Sequence, residues 1–249
     1  MYKELGDGHL ISDKIENGEI FPAGGSVAGR NNIHMIVDFN SFEELFSRIE
    51  KNAKGLMVLD DVKSWYDNNK TGLDFSLFCH MMAFNNVMNK LYPDIVNVGK
   101  HNGFYGVGKP KNLSDTVANK ACACTEFSVL AQGYFQRQNI PTRYVGGEVV
   151  MNGDFGDFEA HSFIAFKSND KKYIFDPVNI FTCRGAKLPR ISEVCEPENR
   201  LYIETKNIFD ENERWFYSGG EKGAFLTDLP TKKDVHVSIG MLSKTDGRS

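Results

Sequence analysis

The sequence predicts an α+β fold in which a helix beginning at Cys124 packs against an antiparallel sheet. After Cys124, apolar residues recur with the period of an amphipathic helix, namely Phe127, Leu130, Ala131, Tyr134 and Phe135. Three strand-like segments rich in Val, Ile, Phe and Tyr follow at 143–151, 160–166 and 172–176, and a short polar turn separates the last two. A helix followed by hairpin-connected strands is typical of an α+β domain.

Residues 33–112 are predicted to form a helical region that precedes this core. A strand is expected at 33–39, and Ser41 with Glu44 fits a capping box for a helix that ends at Gly55. Asp74 can cap a second helix that reaches Pro93, and its apolar and Met-rich stripe is predicted to be core rather than a ligand groove. The segment 97–112 contains four glycines and one proline, which predicts an irregular loop.

The chain therefore divides into three predicted parts. Residues 1–32 are predicted to be a flexible N-terminal segment, because they are polar and contain Gly24-Gly25-Ser26 and Gly29. Residues 33–112 are the helical region, and residues 113–249 form the catalytic core with C-terminal strands.

Asn139 is expected to end the Cys124 helix in a left-handed conformation, and Pro141 prevents the helix from resuming.

Cys124, His161 and Asp176 are the predicted catalytic residues. A thiolate attacks an amide carbonyl, an imidazole exchanges the proton, and a carboxylate fixes the tautomer of the ring. The start of a helix favours a thiolate, because its free N–H groups and its dipole stabilise negative charge. The same N–H groups can donate to an oxyanion. The order and the flanks of these three residues therefore predict an enzyme.

His161 and Asp176 are expected to lie on one face of a β-hairpin. A turn centred between Ser168 and Asn169 places the two residues directly opposite each other, and a slip by two residues makes them diagonal neighbours on the same face. Directly opposite Cβ atoms lie roughly 4.5–5.5 Å apart, so a carboxylate can accept the imidazole N–H.

The segment Cys124-Thr-Glu-Phe-Ser128, the element Asn139-Ile-Pro-Thr-Arg143 and the sequence Phe175-Asp-Pro177 together resemble the core of the transglutaminase-like superfamily. The resemblance covers residues 113–178 and implies a transglutaminase-like or papain-like core. It also implies a thiol-dependent amide hydrolase or acyltransferase that acts on protein or peptide substrates through an acyl-thioester. The family includes cross-linking enzymes, proteases, deamidases, glycan-removing amidases and members that have lost catalysis.

Within that family, hydrolysis by a protease or glutamine deamidase is preferred here over a cross-linking transferase, because no residue set for an amine-binding apolar slot is visible. A catalytically inactive binding module on the same fold is a further alternative. No organic cofactor and no metal is expected, and no calcium-ligand loop is identified.

Several residues have weaker or competing interpretations. Asn119 is a weak candidate for an oxyanion donor, whereas Glu126 and Arg143 are predicted to be scaffold residues. Cys122 is the competing nucleophile, or a resolving thiol. A structural zinc site is a further hypothesis for the cysteines after residue 120, which are Cys122, Cys124, Cys183 and Cys195. Their spacing does not fit the C-x₂₋₄-C pattern that zinc sites usually have. The segment 152–159 could border the substrate groove.

The composition argues against several other classes of protein. Hydrophobic residues make up 41% and aromatic residues 12% of the chain, which predicts a folded globule. The net charge of -4 lacks any block of one sign, so neither nucleic acid nor a membrane is expected as a partner. Residues 1–14 lack the features of a signal peptide, and five cysteines do not suggest a disulfide framework. We therefore expect a protein that is cytoplasmic as synthesised, with signal-less export left open and the oligomeric state undetermined.

Overall fold

The computed structural model describes residues 2–5, 8–24, 33–69, 72–105, 109–151, 158–183, 186–195 and 201–231. The α-helices in these ranges are α1 (Glu43–Met57), α2 (Asp60–Asn69), α3 (Phe75–Leu91), α4 (Val98–Tyr105), α5 (Leu113–Ala118) and α6 (Cys124–Arg137). The strands are β1 (Lys3–Glu4), β2 (Leu10–Ser12), β3 (Ile20–Pro22), β4 (His34–Ile36), β5 (Lys111–Asn112), β6 (Arg143–Met151), β7 (Phe158–Ser168), β8 (Lys171–Cys183), β9 (Ala186–Val194), β10 (Ile203–Asn207) and β11 (Arg214–Ser218). Two short 3-10 helices occupy Phe39–Phe42 and Glu221–Leu226.

Strands β6 to β11 close into a six-stranded antiparallel barrel. Around the barrel the order is β6, β11, β10, β9, β8 and β7, and β7 pairs back onto β6. Eight residue pairs, from Arg143↔Ala165 to Val150↔Phe158, make the β6–β7 ladder, and the pairs from Met151↔Trp215 to Glu148↔Ser218 join β6 to β11 and complete the ring. The other edge of β6 is shared, because β2 pairs with its first half and β11 with its second half. Strands β3, β4 and β5 form a separate small sheet.

The predicted fold class is wrong. The expectation was a transglutaminase-like or papain-like core, with the Cys-bearing helix packed on an antiparallel sheet. Instead, the strands after α6 form a closed barrel, to which further strands and the helices are added. Hairpin signals in the sequence are local, whereas closure depends on the distant strand β11 pairing with β6. Local periodicity could not reveal that pairing.

Side chains of the barrel strands alternate between two cores. Val145, Phe163, Ile174 and Tyr217 belong to a cluster that fills the barrel. The side chains on the other face of the same strands belong to a larger cluster, which they share with the helices. These residues are Tyr144, Ile164, Phe166, Tyr173 and Phe175. Within the larger cluster the ring of Phe84 on α3 contacts the rings of Phe127, Tyr134, Phe135 and Phe175. The apolar stripe of α3 is thus core, as predicted, and Met81 and Met88 are buried in it.

The helical region agrees with the predictions in part. The cap of α3 is confirmed, because the Asp74 side chain accepts the Leu77 N–H at 2.9 Å. The predicted end of the first helix at Gly55 is wrong, since α1 continues to Met57. An exposed helical glycine costs only about 1 kcal/mol relative to Ala, which the packed face of α1 can outweigh.

Three further details of the helical region differ from the predictions. The predicted capping box is wrong: Ser41 lies in the 3-10 helix, and its hydroxyl donates to Asp38. Helix α2 was not predicted. The predicted loop at 97–112 instead contains α4 and β5.

The N-terminal segment takes regular structure where it is described. Strands β1, β2 and β3 lie within 2–24, and residues 25–32 lie outside the described ranges. Arg143 joins this segment to the barrel, because its guanidinium donates to both carboxylate oxygens of Asp13 and to the carbonyl groups of Phe225, Thr227 and Asp228. Arg143 is therefore a scaffold residue. In the described residues, no helix combines the length and apolar character that a membrane crossing requires.

Two helical glycines give opposite expectations for stability. A Cβ at Gly133 of α6 would overlap the ring of Phe39, whereas a Cβ at the exposed Gly55 of α1 would meet nothing within 4 Å. Gly133→Ala should therefore lower the free energy of unfolding by about 1–3 kcal/mol through overpacking. Gly55→Ala should raise it by about 0.5–1 kcal/mol, because alanine loses less backbone entropy in a helix. Urea unfolding of both variants tests this packing, and the same sign for the two changes would contradict it.

Candidate active site

His161 and Asp176 form a buried pair. The imidazole Nε2 lies 2.7 Å from Asp176 Oδ2, and the two residues are 5% and 0% exposed. His161 is on β7 and Asp176 is on β8, so the barrel sheet itself carries both groups. By the alternation of strand residues, both share a face with Phe163 and Ile174.

The hairpin register differs from the predicted one by two residues. Ile164 pairs with Phe175, and the turn consists of Asn169 and Asp170, which have φ values of 48° and 64°. Two adjacent residues with positive φ fit the tight hairpin turns that follow the twist of the strands. His161 and Asp176 are consequently diagonal neighbours on one face rather than directly opposite residues, and their side chains span the offset.

Asp176 is surrounded by hydrogen-bond donors. The backbone N–H groups of Val178 and Asn179 each donate to Oδ1 at 3.1 Å. The Asn179 amide donates to Oδ2 at 2.9 Å, and the Tyr217 hydroxyl donates to the same oxygen at 3.1 Å. The β8–β9 ladder is irregular between Asp176 and Phe181, which frees these backbone N–H groups to turn towards the carboxylate.

Cys124 completes the cluster from the start of α6. Ala123 precedes it in an extended conformation, and Cys124 is the first helical residue. Its partly exposed thiol donates a hydrogen bond to the carbonyl oxygen of Gly24 at 3.8 Å, and it lies close enough to His161 to raise the pKa of that imidazole. Because Nε2 of His161 faces Asp176, Nδ1 is the ring nitrogen that remains for the thiol.

Hydrogen bonds through Ser162 fix α6 against β7. The Ser162 hydroxyl lies 3.0 Å from the Thr125 hydroxyl and 2.8 Å from the Tyr144 hydroxyl. Its carbonyl accepts the Ser128 hydroxyl at 2.9 Å. Ser162 and Thr125 directly follow His161 and Cys124, so these contacts set the distance between the ring and the thiol.

Electrostatics keep the buried pair charged. Burial by itself lowers the pKa of His161, but the charge of Asp176, its hydrogen bond and the neighbouring Cys124 raise that pKa to about 10. Burial raises the pKa of Asp176, whereas the His161 charge and the Asn179 donors outweigh it and lower that pKa below its ordinary value. The pair is therefore an imidazolium and a carboxylate at neutral pH.

The structure thus brings Cys124, His161 and Asp176 together, and their catalytic role stays a prediction. The other candidates lie elsewhere or have other contacts. Asn119 is exposed at the end of α5, and its amide donates to the Asp115 carbonyl, so the oxyanion role is a prediction without a supporting contact. Cys122 is fully buried, and burial raises the pKa of its thiol well above the ordinary value.

The zinc hypothesis and the proposed groove border are less well defined. Across the part of the chain that the structure describes, no three His, Cys, Asp or Glu residues are arranged to hold a metal ion. The side chain of Cys183, one of the four cysteines of that hypothesis, lies outside the described part. Residues 152–157, which the sequence suggests as a border of the groove, also lie outside it.

Sequence reasoning missed three groups around the cluster. Asn179 follows Asp176 by three residues, a spacing at which Asp side chains commonly accept local N–H groups, so a local signal existed. Tyr217 is separated from Asp176 by 41 residues, and Gly24 is separated from Cys124 by 100 residues. Only the tertiary structure brings these two residues to the site.

Comparisons with known proteins place no constraint on this site. The chain matches no protein-family model, no curated protein and no solved structure. The likeness of residues 113–178 to the transglutaminase-like superfamily therefore rests on its motifs alone. The function has to be argued from the geometry of Cys124, His161 and Asp176.

Proposed function

We propose that this chain is a thiol-dependent amide hydrolase that acts on protein or peptide substrates. The observation that carries the proposal is the buried His161–Asp176 pair, joined at 2.7 Å, with the Cys124 thiol at the head of α6 close enough to raise the pKa of the imidazole. A nucleophile, a base and a group that orients the base form the minimal set for covalent amide chemistry.

In the proposed reaction, the Cys124 thiolate attacks the carbonyl carbon of a substrate amide. The imidazolium of His161 then gives its proton to the leaving nitrogen, the C–N bond breaks, and an acyl-thioester remains on Cys124. A water molecule loses a proton to the neutral imidazole and attacks the thioester. The products are a carboxylic acid and an amine, and the thiolate and imidazolium are restored. Asp176 holds the ring in place throughout.

The start of α6 supplies the electrostatic stabilisation in this proposal. The first N–H groups of an α-helix have no acceptor within the helix, and the helix dipole adds positive potential there. The backbone N–H of Cys124 is the first of these groups, so it is the proposed donor to the oxyanion of the tetrahedral intermediate.

Hydrolysis is favoured over acyl transfer to an amine because of the groups around the thiol. An enzyme transfers an acyl group to an amine only if it binds and orients that amine in competition with water. The described hydrogen-bond partners of the Cys124 and His161 side chains are the Gly24 carbonyl, Asp176 and Asn179, and none of them is an amine-binding group. The Cys124 thiol is partly exposed, so water can reach it. Peptide-bond cleavage and glutamine deamidation are the two forms of hydrolysis that fit.

Replacing Cys124 by Ala should abolish turnover, whereas Cys122→Ala should keep most of it. Iodoacetamide should also label Cys124 faster than Cys79, Cys122 or Cys195. Burial raises the pKa of all three of those thiols, to about 11 for Cys79. Peptide mapping by mass spectrometry after brief labelling identifies the modified cysteine. A reversal of the two turnover results would exclude Cys124 as the nucleophile.

Asp176→Asn should lower kcat by about 10²-fold or more, because the amide favours the wrong tautomer of the imidazole. It should also move the alkaline limb of the kcat/KM profile to lower pH. The negative charge of Asp176 is the largest of the interactions that raise the pKa of His161 to about 10, so the imidazolium of the variant loses its proton earlier. Rates measured from about pH 5 to about pH 10.5 test both effects. An unchanged alkaline limb would show that Asp176 does not act on His161.

Incubation of a glutamine-containing peptide with excess labelled primary amine should yield free acid or cleaved peptide as the main product. Water is the expected acceptor because the Cys124 thiol is partly exposed. Intact mass spectrometry separates the outcomes, since deamidation, cleavage and amine incorporation change the peptide mass differently. Predominant incorporation of the amine would identify a cross-linking transferase instead.

A further inference from the structure

A second buried histidine–carboxylate pair lies next to the proposed nucleophile. His101 on α4 places Nε2 2.9 Å from Oε1 of Glu126 on α6, and the two residues are 2% and 0% exposed. Burial lowers the pKa of His101, but the hydrogen bond and the charge of Glu126 outweigh it and raise that pKa. The proposed reaction uses neither residue.

Glu126 binds the backbone on both sides of the thiol. Its Oε2 accepts the N–H of Ala123, the residue before Cys124, at 2.9 Å. Its Oε1 accepts the N–H of Gly24 at 3.0 Å, in addition to His101 Nε2. The two oxygens therefore take three donors, and Glu126 joins the start of α6 to the backbone just after β3.

Gly24 in turn contacts the thiol. Its carbonyl oxygen accepts the Thr125 hydroxyl and lies 3.8 Å from Cys124 Sγ. Gly24 has a φ of 81°, and a Cβ there would lie 2.9 Å from Cε1 of His101. A side chain at Gly24 would therefore meet the ring of His101, and the positive φ independently favours glycine there.

We propose that Glu126, held in place by His101, is a positioning residue that fixes the Cys124 thiol relative to His161 through Ala123 and Gly24. This inference rests on the proposed function. Without the Glu126 carboxylate, the N–H of Gly24 and the N–H of Ala123, the residue before α6, both lose their acceptor. The thiol can then turn away from the imidazolium.

The test uses Glu126→Gln in the full chain. A glutamine keeps the volume of Glu126 but has one acceptor oxygen, so its NH₂ group must face one of the three donors. We expect kcat to fall by about tenfold or more while KM changes by less than about threefold, as a misplaced reacting group costs rate more than binding. The pH midpoint of iodoacetamide labelling at Cys124 should move to higher pH, because the thiolate loses the imidazolium.

His101→Gln is the milder variant, and it keeps an N–H donor for Glu126 while removing the imidazole. Its effects should be smaller but in the same direction. Tyr134→Phe is the matched control on α6, because it removes a buried hydroxyl that lies 2.6 Å from Nδ1 of His80, far from Cys124 along the helix. This control should lower the melting temperature and leave kcat and the labelling midpoint unchanged.

The outcomes separate this inference from the proposed function. If the wild-type protein shows no turnover that depends on Cys124 and no selective labelling of that thiol, the proposed function fails. If the wild-type protein passes both tests but the two variants keep its kcat and labelling midpoint, Glu126 and His101 are structural only. A lower melting temperature of these variants with unchanged kinetics would likewise show a structural role alone.

Discussion

Closure of the barrel at β6, which pairs with β7 on one edge and with β11 on the other, is the constraint on which the rest of the structure depends. β7 carries His161, which pairs with Gly147 of β6. The other edge of β6 binds β11, which carries Tyr217 to the carboxylate of Asp176. The strands approach closely at this point, because a Cβ on Gly147 would overlap the carbonyl oxygen of Ser218. Glycine at this position lets β11 come near enough to β6 to contribute its tyrosine.

Several hydrogen-bond donors stabilise the buried charge of the Asp176 carboxylate. An isolated carboxylate would be neutral at a position that is 0% exposed, because burial disfavours the charged form. Two backbone N–H groups, one amide, one hydroxyl and the imidazolium all donate to Asp176. Burial also raises the pKa of Tyr217 well above its ordinary value, so the hydroxyl keeps the proton that it donates. These fixed donors hold the ring of His161 in one orientation.

Two buried His–carboxylate pairs flank the thiol, and they differ in their connections. His161–Asp176 belongs to the barrel strands, whereas His101–Glu126 joins two helices. The first pair faces the thiol with a ring nitrogen that can exchange protons. In the second pair, the carboxylate binds backbone N–H groups on both sides of Cys124. The proposed chemistry therefore belongs to the barrel pair, and the proposed positioning belongs to the helical pair.

The sequence by itself determined the local elements of the site. The apolar stripe predicted α6, and period-two alternation placed His161 and Asp176 on one face although the register was missed, because these features depend on neighbouring residues. Only the tertiary structure decided that the strands close into a barrel, and that Tyr217 and the Gly24 carbonyl reach the site. Such contacts join residues far apart in the chain and depend on strand twist, helix packing and the space that glycines leave. The periodicity and spacing of residues along the sequence do not determine strand twist, helix packing or that space.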